Sequence, residues 1–125
     1  HKMKNVIIYG IVVFLTSLSC SKDDTNSNEN TIVDSIDTIS TWAYTFQPST
    51  LNCHLGDTIY FELGGSHNAI EVSQESYNNN LSTPIIDGFE FGYGQSGFFV
   101  PIESKTYYYV CEPHLPEMKG KIIVD

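Results

Sequence analysis

Short apolar runs separated by turn signals fill the chain from residue 41 onward. They are rich in Tyr, Phe, Thr, Val and Ile, they lack the period of an amphipathic helix, and Gly, Pro or Asn residues interrupt them. The runs cover residues 42–46, 58–63, 68–73, 98–102, 106–111 and 119–124. Six or seven short strands at this spacing predict an antiparallel β-sandwich.

Alternation predicts which side chains face the core, both in these runs and in a further short run around residues 51–53. In the run that contains Leu51 and Cys53, both residues point inward and His54 points outward. Tyr107 and Tyr109 share a face with Cys111, so we expect core aromatics there rather than redox relays. Residues 77–96 are rich in Gly and Asn, which predicts a long excursion over one edge of the sandwich.

The N-terminus has the pattern of a secretory signal. A basic start is followed by an apolar run over residues 6–15, which is too short to span a bilayer, and then by small residues up to Cys20. Leu18-Ser19-Cys20 resembles the lipobox of bacterial lipoproteins. This resemblance implies that residues 1–19 are a signal peptide and that Cys20 is lipidated, although an ordinary cleaved signal or a membrane-inserted helix stays an alternative.

Residues 20–40 are polar and have little to bury, which predicts a flexible tether before a domain at residues 41–125. Lys22-Asp23-Asp24 resembles the acidic surface-export tags of some lipoproteins, or is simply a solvated charge run. We therefore expect the cell envelope as the location, on the periplasmic face or the outer surface of the outer membrane. The lipid anchor would be the only contact with the membrane.

Length and charge exclude several classes of protein. A chain of 125 residues has room for one domain, which excludes a two-domain enzyme. Its 15 carboxylates against 6 lysines give a net charge of −9, so nucleic acid is not an expected partner.

Soft metal donors are few and cluster near the C-terminus. Cys111, His114 and Met118 fall within eight residues, in a segment where Pro113 and Pro116 withdraw two backbone donors. Two imidazoles and a thiolate with a weak axial thioether are the ligands of a blue-copper site. His67, which precedes a strand expected to start at the same end of the sandwich, supplies the second imidazole. Zinc also binds such donors, but divalent affinities and the thioether favour copper.

Several short motifs support this interpretation together. They are Phe46-x-Pro48, Gly56-Asp57-Thr58, His67-Asn68, Tyr107-x-Tyr109-x-Cys111, Pro113-His114 and Met118-Lys119-Gly120-Lys121. From residue 44 to residue 124 the chain resembles the plastocyanin-like cupredoxins. The resemblance implies a Greek-key β-sandwich of about seven or eight strands that holds one type 1 copper.

The same resemblance assigns the site residues. His67, Cys111 and His114 would be equatorial ligands and Met118 the axial one. Around them, the Asn68 side chain would tie the first ligand strand to the Cys111 loop, and Pro113 would lie beside the ligands.

Two departures from plastocyanin bear on electron transfer. Three residues separate His114 from Met118, one fewer than in plastocyanin, and Val110 stands where plastocyanin has a tyrosine beside its cysteine ligand. The lateral route through that tyrosine is therefore in doubt. The exposed edge of His114, flanked by Leu115 and Pro116, becomes the expected port.

The leading hypothesis is an envelope electron carrier that cycles between Cu(II) and Cu(I) and is not an enzyme. We expect a monomer whose redox partner, for example a cytochrome, has a basic docking face. A copper-binding or copper-delivery lipoprotein is the alternative, and a metal-free binding module is a third possibility. Glu112 and Glu117, in the ligand loop, are expected to lower the copper potential by favouring Cu(II).

Overall fold

Nine strands form two sheets in the computed structural model, which describes residues 36–125. The strands are β1 (Asp37–Trp42), β2 (Thr45–Gln47), β3 (Thr50–Cys53), β4 (Ile59–Glu62), β5 (Ala69–Val72), β6 (Glu90–Phe91), β7 (Ser96–Phe99), β8 (Thr106–Val110) and β9 (Lys119–Val124). One sheet has the order β2-β1-β4-β7 and the other the order β3-β9-β8-β5-β6. The predicted β-sandwich is confirmed.

The expectation of a purely antiparallel sandwich is wrong. β1 pairs parallel with β4, and β3 pairs parallel with β9. The cause is the path of the chain after β2, because Pro48 and Ser49 carry it out of the first sheet and into the second. Residues 37–53 thus contribute strands to both sheets, and β1 and β3 each pair with a strand from a later part of the chain.

The first strand begins earlier than expected. β1 includes the last four residues of the expected tether, and Ile39 is fully buried there opposite Phe61. Because Thr38 and Ser40 on either side of Ile39 are polar, the alternation is too short to predict a strand there. The predicted run at 42–46 spans the end of β1, a two-residue hairpin turn and the start of β2. The predicted signal peptide, the predicted lipidation site at Cys20 and the predicted tether as far as residue 35 lie outside the described residues.

The excursion contains more regular structure than its composition indicates. A five-residue helix, α1 (Gln74–Asn78), follows β5, and the Ser73 hydroxyl caps it by accepting a hydrogen bond from the Ser76 nitrogen at 3.0 Å. β6 then adds an edge to the second sheet beside β5. β7 starts two residues before the predicted run. Within residues 36–125, no helix has the length and apolar character needed to cross a bilayer.

An aromatic core joins the two sheets. Phe46, Phe61, Phe89 and Tyr109 form it, with ring centroids 4.8 to 5.8 Å apart. Tyr107 and Tyr109 are both buried, as predicted for core aromatics.

Cys53 is buried and His54 is exposed, so both predictions from alternation are confirmed. Cys53 and Cys111 are both free thiols. Gly120 is required opposite Tyr109, since a β-carbon there would overlap the tyrosine ring.

Candidate metal centre

Three predicted ligands converge at one end of the second sheet. Nδ1 of His67 lies 3.1 Å from Nδ1 of His114, and Sγ of Cys111 lies 3.8 Å from the first nitrogen and 3.3 Å from the second. Cys111 is fully buried, His67 is 7% exposed and His114 is half-buried. The three donors therefore face one another in a largely dry pocket.

The size and chemistry of this triangle fit a single bound ion. Proteins hold zinc at about 2.0 Å from imidazole nitrogen and about 2.3 Å from thiolate sulfur, so ligands around one such ion lie roughly 3 to 4 Å apart. The observed edges fall in that range. Two imidazoles with a thiolate, next to a buried methionine, favour copper over zinc.

Antiparallel pairing brings His67 to the cysteine. β5 and β8 run antiparallel with Ile70 opposite Val110, so the residues just before β5 lie beside those just after β8. His67 lies two residues before β5, and Cys111 directly follows β8. The backbone of His67 is held on two sides, because its nitrogen donates to the Gly64 carbonyl at 3.0 Å and its carbonyl accepts from the Gly94 nitrogen at 3.1 Å.

The segment from Cys111 to Met118 closes on itself. A 3-10 helical turn (Glu112–His114) brings His114 back over the cysteine, and the His114 nitrogen donates to the Cys111 carbonyl at 3.2 Å. The Cys111 nitrogen then donates to the Met118 carbonyl, and the Met118 nitrogen to the His114 carbonyl, each at 3.0 Å. Pro113 lies within the turn. The spacing of the ligands thus follows from a tightly bonded loop.

Asn68 connects the two ligand segments. It is buried, and its Oδ1 accepts a hydrogen bond from the Glu112 nitrogen at 2.9 Å. The predicted tie between the His67 segment and the Cys111 loop is present.

Burial shifts the pKa of two of the donors. It raises the pKa of the Cys111 thiol, while burial and then the nearby His114 lower the pKa of His67. The lowered pKa favours the neutral form of the His67 imidazole, which is the form that binds a metal. The thiol must give up its proton when a metal binds, so metal affinity is expected to rise with pH.

Met118 lies directly before β9, is fully buried and belongs to the same core cluster as Cys111. This position suits both an axial ligand and a residue that fills the core. Its role as the axial ligand therefore stays a prediction.

The residues around His114 differ from those expected at the electron-transfer port. Leu115 is half-buried against the cluster of Ile70 and Val110, while Pro116 is exposed. The ring of Tyr44 lies 4.7 Å from that of His114, a contact that sequence reasoning missed. Tyr44 is distant from the ligands in sequence, and the hairpin turn between β1 and β2 brings it to His114. The contact therefore becomes visible only in the tertiary structure.

Comparisons with known proteins agree with this site. Residues 34–125 match the family model described as copper binding proteins, plastocyanin/azurin family. No curated protein sequence matches the chain significantly.

Solved structures share the fold. A reduced amicyanin variant has 22% identity and a TM-score of 0.54, over 77% of this chain and 88% of that one. The reduced Cu(I) form of another amicyanin variant at pH 4 has 23% identity over the same shares, also with a TM-score of 0.54. Native pseudoazurin from Hyphomicrobium denitrificans has 21% identity and a TM-score of 0.57, over 72% and 75% of the two chains. Since the family model spans all of the described residues, the chain belongs to the plastocyanin/azurin family of copper-binding proteins.

Proposed function

We propose that this protein is a single-copper electron carrier of the bacterial cell envelope. The observation that carries the proposal is the triangle of His67, Cys111 and His114, which has the donors and the dimensions of a type 1 site. Met118 would complete the set as a weak axial ligand. Copper bound there would supply one-electron chemistry between Cu(II) and Cu(I).

The protein's own contribution is rigidity. Asn68 holds one ligand segment against the other, and the backbone hydrogen bonds between Cys111 and Met118 close the loop. Ligands fixed in this way move little when the charge of the ion changes, which suits rapid electron transfer. Such a centre needs neither an open coordination position nor a general base, so we propose a carrier and not an enzyme.

Access to the site would come through the surface around His114, with Leu115 and Pro116 beside it. His114 is the most exposed of the three converging ligands. A net charge of −9 favours a redox partner with a basic docking face, such as a cytochrome, in a small interface of under about 1,200 Å².

Anchoring by lipid on Cys20 is part of the proposal and is supported by the sequence pattern before that residue. Expression of the full chain in a bacterial host, with mass spectrometry of the membrane fraction, tests it. We expect a diacylated or triacylated N-terminal cysteine that Cys20→Ala abolishes. An unmodified, soluble mature chain would contradict lipidation without touching the copper proposal.

The copper proposal is tested on residues 30–125 by adding Cu(II) and recording absorption and EPR spectra. We expect an intense thiolate-to-copper band that Cys111→Ser removes. Cys53→Ser is the matched control, since this second buried cysteine lies outside the ligand set, and it should retain the band. Absence of the band, or equal copper binding in Cys111→Ser, would refute a type 1 site.

Copper delivery is separated from electron transfer by exchange kinetics. A carrier retains copper through repeated oxidation and reduction in the presence of a chelator. Rapid loss to the chelator or to an apo-acceptor would instead support the copper-delivery alternative.

A further inference from the structure

Two exposed aromatic side chains lie at the turn between β1 and β2, and one of them, Tyr44, contacts a ligand of the metal centre. Trp42 is 76% exposed and Tyr44 is 61% exposed. The Tyr44 ring is tilted by 47° against the His114 ring, with centroids 4.7 Å apart. Tyr44 therefore covers part of the imidazole that a partner would otherwise reach directly.

The turn holds these residues in a fixed arrangement. Trp42 pairs with Thr45 across the hairpin, and the Thr45 hydroxyl donates to the Trp42 carbonyl at 2.7 Å. Ala43 between them has a φ of 50°, in the left-handed region that residues other than glycine rarely adopt. Such backbone conformations concentrate at functional sites. The hairpin thus positions Tyr44 over His114 at a cost in backbone strain.

Other large apolar side chains are as exposed as these two rings, but Tyr44 is the exposed aromatic residue that contacts a ligand of the metal centre. Trp and Tyr are enriched at the centres of protein interfaces, where burying them contributes most of the binding energy. Phe98, which is 63% exposed on the first sheet, packs against Tyr60 at 4.9 Å and lies away from the ligands. Phe98 provides a matched comparison for the turn.

Charge near the centre defines the kind of partner. Exposed Glu112 and Glu117 lie in the ligand loop. Each lysine of the described residues has a contact of its own, since Lys105 pairs with Glu103 while Lys119 and Lys121 lie over the Tyr77 ring. A partner with an apolar patch ringed by basic side chains complements this end of the molecule.

We propose that Trp42 and Tyr44 form the docking surface for a basic one-electron carrier protein, and that Tyr44 is the specificity-determining contact beside His114. The inference rests on the proposed function and changes the surface through which the partner is expected to reach the copper site. The partner meets the aromatic turn, and the edge of His114 lies behind Tyr44.

The test measures docking without electron transfer. The copper(I) protein, labelled with nitrogen-15, is titrated at low salt with a basic c-type cytochrome in its reduced state. Trp42 is the single tryptophan of the chain, so its indole signal reports directly on this surface. We expect shifts concentrated at residues 42–45 and 112–117.

Variants then assign the contact. Tyr44→Lys should weaken binding by about tenfold or more, because it removes an anchor ring and adds a like charge to the interface. Tyr44→Phe should bind like the parent, as should Phe98→Lys, which places the same charge on a distant aromatic position. The thiolate-to-copper band and the melting temperature show that each variant is folded and loaded.

Three results would overturn the inference. They are unchanged binding in Tyr44→Lys, shifts centred away from the turn, and no binding by the parent protein at low salt. Shifts at Trp42 that depend only on the protein's own concentration would assign the surface to a second copy instead. A missing thiolate-to-copper band in the parent would mark failure of the proposed function, which is a separate result.

Discussion

The side-chain oxygen of Asn68 accepts a hydrogen bond from the Glu112 backbone nitrogen, and this contact joins the two segments that carry the ligands. Asn68 follows one ligand directly, and Glu112 follows another. The pairing of β5 with β8 brings the two segments together, and this part-buried hydrogen bond fastens them to each other beyond the strand ends.

Replacement of Asn68 by Ala should loosen the site. The change leaves the Glu112 nitrogen without its acceptor, which costs about 1 to 3 kcal/mol. We expect a lower melting temperature and faster loss of copper to a chelator. Asn68→Asp keeps an acceptor oxygen and should lose less, so equal losses in both variants would contradict a role for this hydrogen bond.

Replacement of Tyr109 by Phe should stabilise the fold. Within residues 36–125 the buried Tyr109 hydroxyl has no hydrogen-bond partner, and burial raises the pKa of Tyr109. Removing an unsatisfied buried hydroxyl should gain roughly 1 kcal/mol, a rise in melting temperature of about 4 to 8 °C for a domain of this size.

Tyr107→Phe is the control for this change. The Tyr107 hydroxyl contacts the backbone of Glu103, so its loss should destabilise the fold. A lower melting temperature in Tyr109→Phe would show that its hydroxyl is satisfied in solution.

Glu71 should make stability depend on pH. Burial raises the pKa of Glu71 above its ordinary 4.5, although the hydrogen bond from the Phe89 nitrogen, at 3.0 Å, opposes this. Because the folded pKa is the higher one, the stabilising contribution is full below pH 4.5 and is lost as pH rises through the folded pKa. Glu71→Gln stays neutral and can still accept from Phe89.

Thermal denaturation of Glu71→Gln between pH 4 and pH 8 measures this effect. We expect a gain in stability over the parent near pH 7 that shrinks towards pH 4. Glu90→Gln, at an exposed position of β6, should show no such trend. A gain of the same size at every pH would assign the effect to packing rather than to ionisation.

Glu112→Gln should raise the reduction potential of the copper protein. The exposed carboxylate, held by the Ser82 hydroxyl at 2.9 Å, lies next to Cys111 and favours the more positive Cu(II). Voltammetry measures the change, which screening by solvent keeps modest. Glu103→Gln removes the same charge before β8, at the opposite end from Cys111, and should leave the potential nearly unchanged. Equal shifts would indicate a response to net charge alone.

The sequence by itself determined the features that depend on near neighbours. Alternation placed Cys53 and Tyr109 in the core, and the run at residues 119–124 coincides with β9. The close spacing of Cys111, His114 and Met118 indicated a metal site because soft donors are rare in this chain. Predictions from such patterns agree with the structure because side-chain direction within a strand and the reach of a short loop are local properties.

Only the tertiary structure decided what distant segments do together. His67 comes 47 residues before His114, and the register of β5 against β8 closes that distance. The parallel pairing of β1 with β4 and the approach of Tyr44 to His114 likewise depend on which strand edges meet. Pairing between distant strands is selected by burial of the whole core, a sum over many residues that no short motif encodes.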